Sequence, residues 1–342
     1  MSAPLGARVR RNPPGPARHL VPLLSIPLVI AALAAGLASA ELPSAAVRIG
    51  PAQAAASGQA IHLERRAIGG STLVEVVPVA SAASSEATGN LLAVSPDGSQ
   101  AALADQVGEL SGSLTLARAD GSQLRIQLPG LIGAGFAADG SWLAVIDGHG
   151  ALWQVDAASG RASQRADGPF IGSPIAAADG SLLLLAVSSV EAPYRSQLVR
   201  LDPSTGVSTS LSAEELVYGG FPLVDGDVAV VAHRAGHTVV LRVGSGGSRL
   251  LADLVPNAIN VAVAPDGAAI AFELTERGIF LLEHGAANPR PVGQGSRPCF
   301  AADGASLLVH RGTGTAALST DGAVIAVTDR PAAFAGSAGC LP

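Results

Sequence analysis

The chain has 342 residues, of which 48% are hydrophobic and only 14% charged, so it can build a large core and is not disordered throughout. Its formal net charge of −6 argues against a nucleic-acid partner. Aromatic residues make up 3% of the chain, which leaves a stacking platform for sugars or bases poorly supplied.

Residues 1–40 have the composition of an export signal. An apolar run at residues 20–37 is followed by the small residues Ala38-Ser39-Ala40, the order expected before a cleavage site. Four arginines precede the run: Arg8, Arg10, Arg11 and Arg18. We expect cleavage after Ala40 and an exported protein, periplasmic or extracellular, with residues 41–58 as a linker. The alternative is an uncleaved anchor facing outside, because residues 20–37 approach the length of a membrane span.

A hairpin pattern repeats six times after this leader. Each copy has a short apolar strand, an Asp-Gly turn and a second apolar strand, as in "VAVAPDGAAIAFEL" at residues 261–274. The turn aspartates are Asp97, Asp139, Asp179, Asp225, Asp266 and Asp303. They are separated by 42, 40, 46, 41 and 37 residues. A second, more polar hairpin follows each copy, which gives four strands every ~40 residues, the period of a β-propeller blade.

The two ends of the repeat region indicate that the ring closes. The segment from Ile61 to Val76 resembles the second hairpin of a blade, but it precedes the first Asp-Gly unit. The segment from Ala332 to Cys340 resembles an innermost strand without an outer partner. We therefore predict an all-β propeller domain at residues 59–342 with seven blades, six complete and one shared between the termini. Six blades with a decorated seam, and an open solenoid, are the structural alternatives.

The two cysteines fit the same arrangement. Cys299 falls in a predicted innermost strand and Cys340 follows 41 positions later, about one blade period. In an oxidising compartment, cysteines at equivalent points of adjacent blades form a disulfide that would pin the terminus. Two unpaired buried thiols are the alternative.

The Asp-Gly units resemble the WD40-like repeats of the TolB-like propeller family. Ser95-Pro96-Asp97-Gly98 and Ala264-Pro265-Asp266-Gly267 carry the resemblance, and the other four copies lack the proline. The resemblance covers roughly residues 60 to 342 and implies the propeller fold. It implies no catalytic residues, because the family motif is a structural turn and propellers carry many functions.

Few residues of the predicted channel suggest chemistry. The innermost strands offer Asn90, Tyr218, Asn260 and Arg297 and almost no other polar side chain, so no metal ligand set, cofactor site or catalytic constellation is predicted. His233 and His237 fall on a presumed surface turn, where paired histidines are usually solvated. The enzyme question stays open, with a non-catalytic role favoured.

Two loops are candidate binding segments. Residues 188–197 display Tyr194 and Arg195, and residues 213–221 place Tyr218 and Phe221 near a channel mouth. Tyrosine and arginine are enriched at interface hot spots. We therefore expect a binding or scaffold module with a protein or peptide partner, and Arg297 as a further contact. A channel enzyme acting on small molecules, or a sensor held at the membrane by residues 20–37, are the alternatives. For each of the two segments, an ordinary variable loop is the simpler explanation.

Overall fold

The computed structural model describes residues 61–78, 90–105, 112–191, 194–212, 216–275, 277–312 and 314–336. All helical or strand structure in these ranges is β-strand, with no helix, and the strands form seven antiparallel sheets. The predicted leader at residues 1–40 and linker at 41–58 lie outside the described residues. No membrane-spanning helix is found in the described ranges.

Six sheets have four strands, and in each the chain moves across the sheet in sequence order. Blade 1 contains β3 (Asn90–Val94), β4 (Gln100–Ala104), β5 (Gly112–Arg118) and β6 (Gln123–Leu128). Blade 2 contains β7 (Gly133–Phe136), β8 (Trp142–Ile146), β9 (Leu152–Asp156) and β10 (Ala162–Ala166). Blade 3 contains β11 (Phe170–Ala176), β12 (Leu182–Ser189), β13 (Arg195–Leu201) and β14 (Ser208–Ser210).

The other three complete blades follow the same plan. Blade 4 contains β15 (Leu216–Pro222), β16 (Val228–Arg234), β17 (His237–Gly244) and β18 (Gly247–Asp253). Blade 5 contains β19 (Ala258–Val263), β20 (Ala269–Leu274), β21 (Gly278–Glu283) and β22 (Arg290–Gly293). Blade 6 contains β23 (Ser296–Phe300), β24 (Ser306–Arg311), β25 (Gly314–Ser319) and β26 (Val324–Thr328). The first strand of each blade is innermost, and neighbouring first strands such as β7 and β11 contact each other.

The predicted Asp-Gly hairpins join the first two strands of each complete blade. In blade 1, Gly98 takes a φ of 69°, and its amide donates to Ser95 O at 2.9 Å. The Asp97 carboxylate accepts a hydrogen bond from the Ser99 amide at 3.0 Å, so the aspartate side chain also stabilises the turn. The left-handed backbone conformation required at this position of a tight turn favours glycine. The local turn chemistry therefore explains the repeat.

The core lies between blades. One cluster combines Leu114 and Leu116 of blade 1 with Leu143 and Val155 of blade 2, all of them fully buried. A fully buried leucine or valine contributes about 1.5–3 kcal/mol relative to an exposed one. Because both faces of each sheet are apolar, no blade is stable without two neighbours.

The seventh blade joins the chain ends, as predicted. It contains β1 (Ile61–Ile68), β2 (Ser71–Pro78) and β27 (Ala332–Phe334), in the order β1-β2-β27. Seven blades are confirmed. The prediction that the N-terminal hairpin is the outer hairpin is wrong, because β2 pairs directly with the innermost β27. The hairpin therefore runs from the outside of the sheet to its inside, opposite to the second hairpin of a complete blade.

Candidate functional site

The propeller has two different faces. At the face that we call the entry face, the innermost strands begin and the second strands end. At the opposite face, the turn face, lie the Asp-Gly turns. The entry-face end of the channel is called the mouth, and it gathers most of the polar residues that the sequence analysis selected.

Two mouth residues have an unusual backbone. Asn260 of β19 and Arg297 of β23 have φ values of 47° and 49°. Each lies at an irregularity of the strand pairing, between Ile259 and Ala262 and between Ser296 and Cys299. Asparagine tolerates the left-handed conformation, but arginine does not favour it. Such strain costs about 1–3 kcal/mol and clusters at functional sites.

Glu273 of β20 holds both strained residues. The Asn260 Nδ2 donates to Glu273 Oε2 at 2.7 Å, and the Arg297 backbone N donates to the same oxygen at 3.2 Å. Glu273 pairs with Ile259 across the sheet, and the Ile259 side chain is 38% exposed. The carboxylate thus connects the Asn260 side chain of blade 5 to the Arg297 backbone of blade 6, beside an exposed apolar side chain.

Tyr218 lies on β15, farther round the mouth. Its ring contacts His233 edge to face, with ring centroids 6.3 Å apart. The ring also packs against the apolar cluster between blades 4 and 5. Burial disfavours the phenolate and raises the Tyr218 pKa above its ordinary value. Tyr218 is therefore half-buried and fixed in place.

Tyr194 and Arg195 are exposed at the entry-face start of β13. The next residue, Ser196, connects this segment to β15, because its Oγ donates to Val217 O at 2.8 Å and accepts from Val217 N at 2.9 Å. The two predicted loops are therefore neighbours at the entry face.

The remaining candidate residues lie in packing contacts, at an exposed strand end or beside a turn. Phe221 packs against the apolar clusters on both sides of blade 5. Asn90 is exposed at the start of β3. Between His233 and His237 the chain makes the exposed turn that the sequence predicts, with Ala235 and Gly236 at φ 48° and 89°. Among the described residues, no group of three or more His, Cys, Asp or Glu is placed to hold a metal ion.

Cys299 is buried in β23, and Cys340 lies outside the described residues. The predicted disulfide is therefore still a prediction. In blade 6, Cys299 pairs with Leu308 on the second strand and is followed by Phe300. In the seventh blade, Ala333 pairs with Val74 of β2 and is followed by Phe334, so it occupies the same register position. Ala333, and not Cys340, is thus the equivalent of Cys299 in the adjacent blade.

Glu273 is the mouth residue that the sequence analysis missed. Its signal was a single acidic residue inside the apolar strand "AIAFEL". The pattern could not reveal its role because the residues it holds come from two other strands, one of them in another blade.

The architecture defines this chain as a seven-bladed β-propeller. Its solved structural neighbours include TolB from Acinetobacter baumannii, at 14% sequence identity and a TM-score of 0.52, covering 80% of this chain and 82% of that one. They also include an oligogalacturonate lyase in complex with manganese, at 13% identity and a TM-score of 0.56, covering 78% and 83%. A putative 6-phosphogluconolactonase from Bacteroides uniformis has 15% identity and a TM-score of 0.50, covering 80% and 98%.

These similarities confirm the predicted resemblance to TolB and other β-propellers at the level of the fold. No family model and no curated protein matches the sequence.

Proposed function

We propose that this protein is an exported, non-catalytic propeller that binds an extended segment of a partner protein at the mouth. The observation that supports this most is the arrangement of Asn260, Glu273 and Arg297, in which one carboxylate binds the side chain of one residue with a strained backbone and the backbone N of another. Strain of this kind persists only where surrounding contacts enforce it, and a preorganised surface loses less entropy on binding.

The chemistry of the mouth suits a peptide. The Glu273 carboxylate and the Asn260 amide supply an acceptor and a donor for backbone N–H and C=O groups. The exposed Ile259 and the half-buried Tyr218 offer apolar contact for side chains. Tyr194 and Arg195 extend the same face with residue types that are common at interface hot spots.

Site-specific photocrosslinking tests this proposal. A photoreactive amino acid at position 259, inside the mouth, should give discrete protein adducts in cells that express the full chain. The same amino acid at Leu250, which is 59% exposed on the outer strand β18, is the matched control. Binding at the mouth would be contradicted if position 259 gave no adducts, or if positions 259 and 250 gave the same adducts.

Export is a separate part of the proposal. N-terminal sequencing of the protein from the cell envelope or medium should find Glu41 as the first residue. An intact Met1 in a membrane fraction would favour the anchored alternative, and recovery only from the cytoplasm would contradict export.

A further inference from the structure

A wide groove lies between blades 2 and 3 on the turn face, away from the mouth. It has a volume of about 1140 Å³, and it is lined by the Asp-Gly turns of both blades and by the outer turn of blade 3. Typical small-molecule sites measure about 300–1,000 Å³. The blade 2–3 groove therefore has room for a ligand of more than one ring.

One of the two tryptophans of the chain lines this groove. Trp142 is partly exposed and packs with its other side on the apolar cluster between the two blades. Its indole N–H has no hydrogen-bond partner among the described residues. Trp153 in the same blade differs, because it is buried and its Nε1 donates to Asp147 Oδ2 at 2.8 Å. Trp142 thus offers an aromatic surface and a donor to a ligand.

Polar side chains surround Trp142. On blade 2, the Arg165 Nε donates to Gln154 Oε1 at 2.7 Å. On blade 3, Arg200 uses Nη2 to donate to Gly226 O at 3.2 Å, and its Nη1 lies 3.8 Å from Asp179 Oδ2. The Arg200 Nε is buried and has no hydrogen-bond partner among the described residues. Both walls of the groove therefore carry hydrogen-bond donors and acceptors.

The groove carries both signs of charge. Its lining includes two arginines and three aspartates: Arg165, Arg200, Asp139, Asp179 and Asp202. A site for an anion or a cation would concentrate one sign of charge. The balance instead suits a neutral ligand with many hydroxyl groups, since each hydroxyl both donates and accepts.

Arginine side chains bridge several blade junctions, but none among the described residues spans this groove. At other blade junctions an arginine reaches the next blade: Arg65 donates to Asp97 O, Arg118 to Ala157 O and Arg290 to Thr320 O. Among the described residues, no arginine makes such a bridge from blade 2 to the turns of blade 3. The two blades touch closely at their inner strands and leave their outer halves apart.

We propose that the blade 2–3 groove binds a neutral oligosaccharide. A pyranose ring would place its apolar C–H face on the Trp142 indole, while its hydroxyls bond to Asp179, Arg165 and Arg200. This inference is independent of the proposed function, because the groove and the mouth lie on opposite faces of the ring.

A glycan array that carries neutral, acidic and basic oligosaccharides tests the ligand class with the full chain. Saturation-transfer NMR with the best neutral trisaccharide then measures affinity. We expect W142A to weaken binding about tenfold or more, R165A to weaken it severalfold, and W142F to retain part of it. Arg161 is an exposed arginine of blade 2 outside the groove, so R161A is the matched control and should bind normally.

Each other outcome overturns the proposal. It is wrong if no neutral glycan binds the wild type, if charged glycans bind equally well, or if R165A and R161A bind alike. Since R165A alters a surface residue, its result stands even if W142A fails to fold. Crosslinking at position 259 reports separately on the mouth, so failure of one site is distinguishable from failure of the other.

Discussion

The backbone N of Gly70 donates a 2.9 Å hydrogen bond to Asp303 Oδ2, across 233 positions of sequence. Gly70 lies in the turn between β1 and β2, and Asp303 lies in the Asp-Gly turn of blade 6. The same turn aspartate that closes its own hairpin therefore also connects the seventh blade to the sixth. The Val76 amide donates to Pro331 O at 2.9 Å and extends the pairing of β2 with β27 inside the seventh blade.

The contribution of this link to stability can be measured by comparing two aspartates. Asp303 and Asp266 each accept an amide of their own turn at 2.9 Å, from Ala305 and Ala268, but only Asp303 also accepts from Gly70. We expect D303A to lower the free energy of unfolding by about 1 kcal/mol more than D266A does. Urea unfolding measures the difference, and equal losses would show that the link contributes nothing.

Close contact of the inner strands of blades 2 and 3 depends on glycine. A Cβ at Gly135 would overlap the Pro174 carbonyl oxygen, whereas a Cβ at Gly219 of β15 would meet nothing within 4 Å. We expect G135A to destabilise the protein by about 1–3 kcal/mol or to prevent folding, because overpacking displaces backbone. G219A is the matched control and should fold normally in thermal unfolding. A stable G135A would contradict the close packing.

Asp97 should titrate well below an ordinary aspartate. The Ser95 hydroxyl donates to it at 2.6 Å and the Ser99 amide at 3.0 Å, and these bonds lower the Asp97 pKa to about 2 from 3.8. Since the folded-state pKa is the lower one, the stabilisation is complete above about pH 4 and is lost as the pH falls toward 2.

Carbon-13 NMR of the carboxyl groups checks this value. In S95A the Asp97 pKa should rise toward 3.8, because the largest cause of its lowering is removed. The Asp139 pKa, lowered by Ser141, should stay unchanged in the same variant. An Asp97 pKa that is unaffected by S95A would refute the assignment of cause.

The disulfide between Cys299 and Cys340 is tested by mass spectrometry without reductant. We expect no free thiol in protein made in an oxidising compartment, and we expect C340S to lower stability by about 2–4 kcal/mol, the typical contribution of a disulfide. Reductant should lower the melting temperature of the wild type but not that of C340S. Two alkylated thiols in the denatured, unreduced protein would show that the bond does not form.

Replacing Arg297 by glycine should have opposite effects on stability and on partner binding. Glycine adopts a φ of 49° without strain, so R297G should keep or raise the free energy of unfolding, by up to about 1 kcal/mol. The same change should reduce the adducts at position 259, because the guanidinium is lost from the mouth. A loss of stability with unchanged adducts would assign Arg297 a structural role instead.

Much of the fold was predictable because its signals are local. The Asp-Gly turns and the apolar strands around them depend on neighbours in sequence, so six hairpins and the repeat length could be read directly. The pairing of the chain ends also followed, since the segments at Ile61 and Ala332 were each incomplete. The order β1-β2-β27 was not predictable, because it depends on which strand of the N-terminal hairpin pairs with β27, and no local signal specifies that pairing.

The sequence by itself determined the number and kind of blades, through turn chemistry that acts over a few residues. Only the tertiary structure decided which groups come together. Glu273 binds the Asn260 side chain and the Arg297 backbone at the mouth, and Trp142, Arg165 and Arg200 line one groove. Blade spacing and strand register bring these residues together, and neither is encoded in any short stretch of the chain.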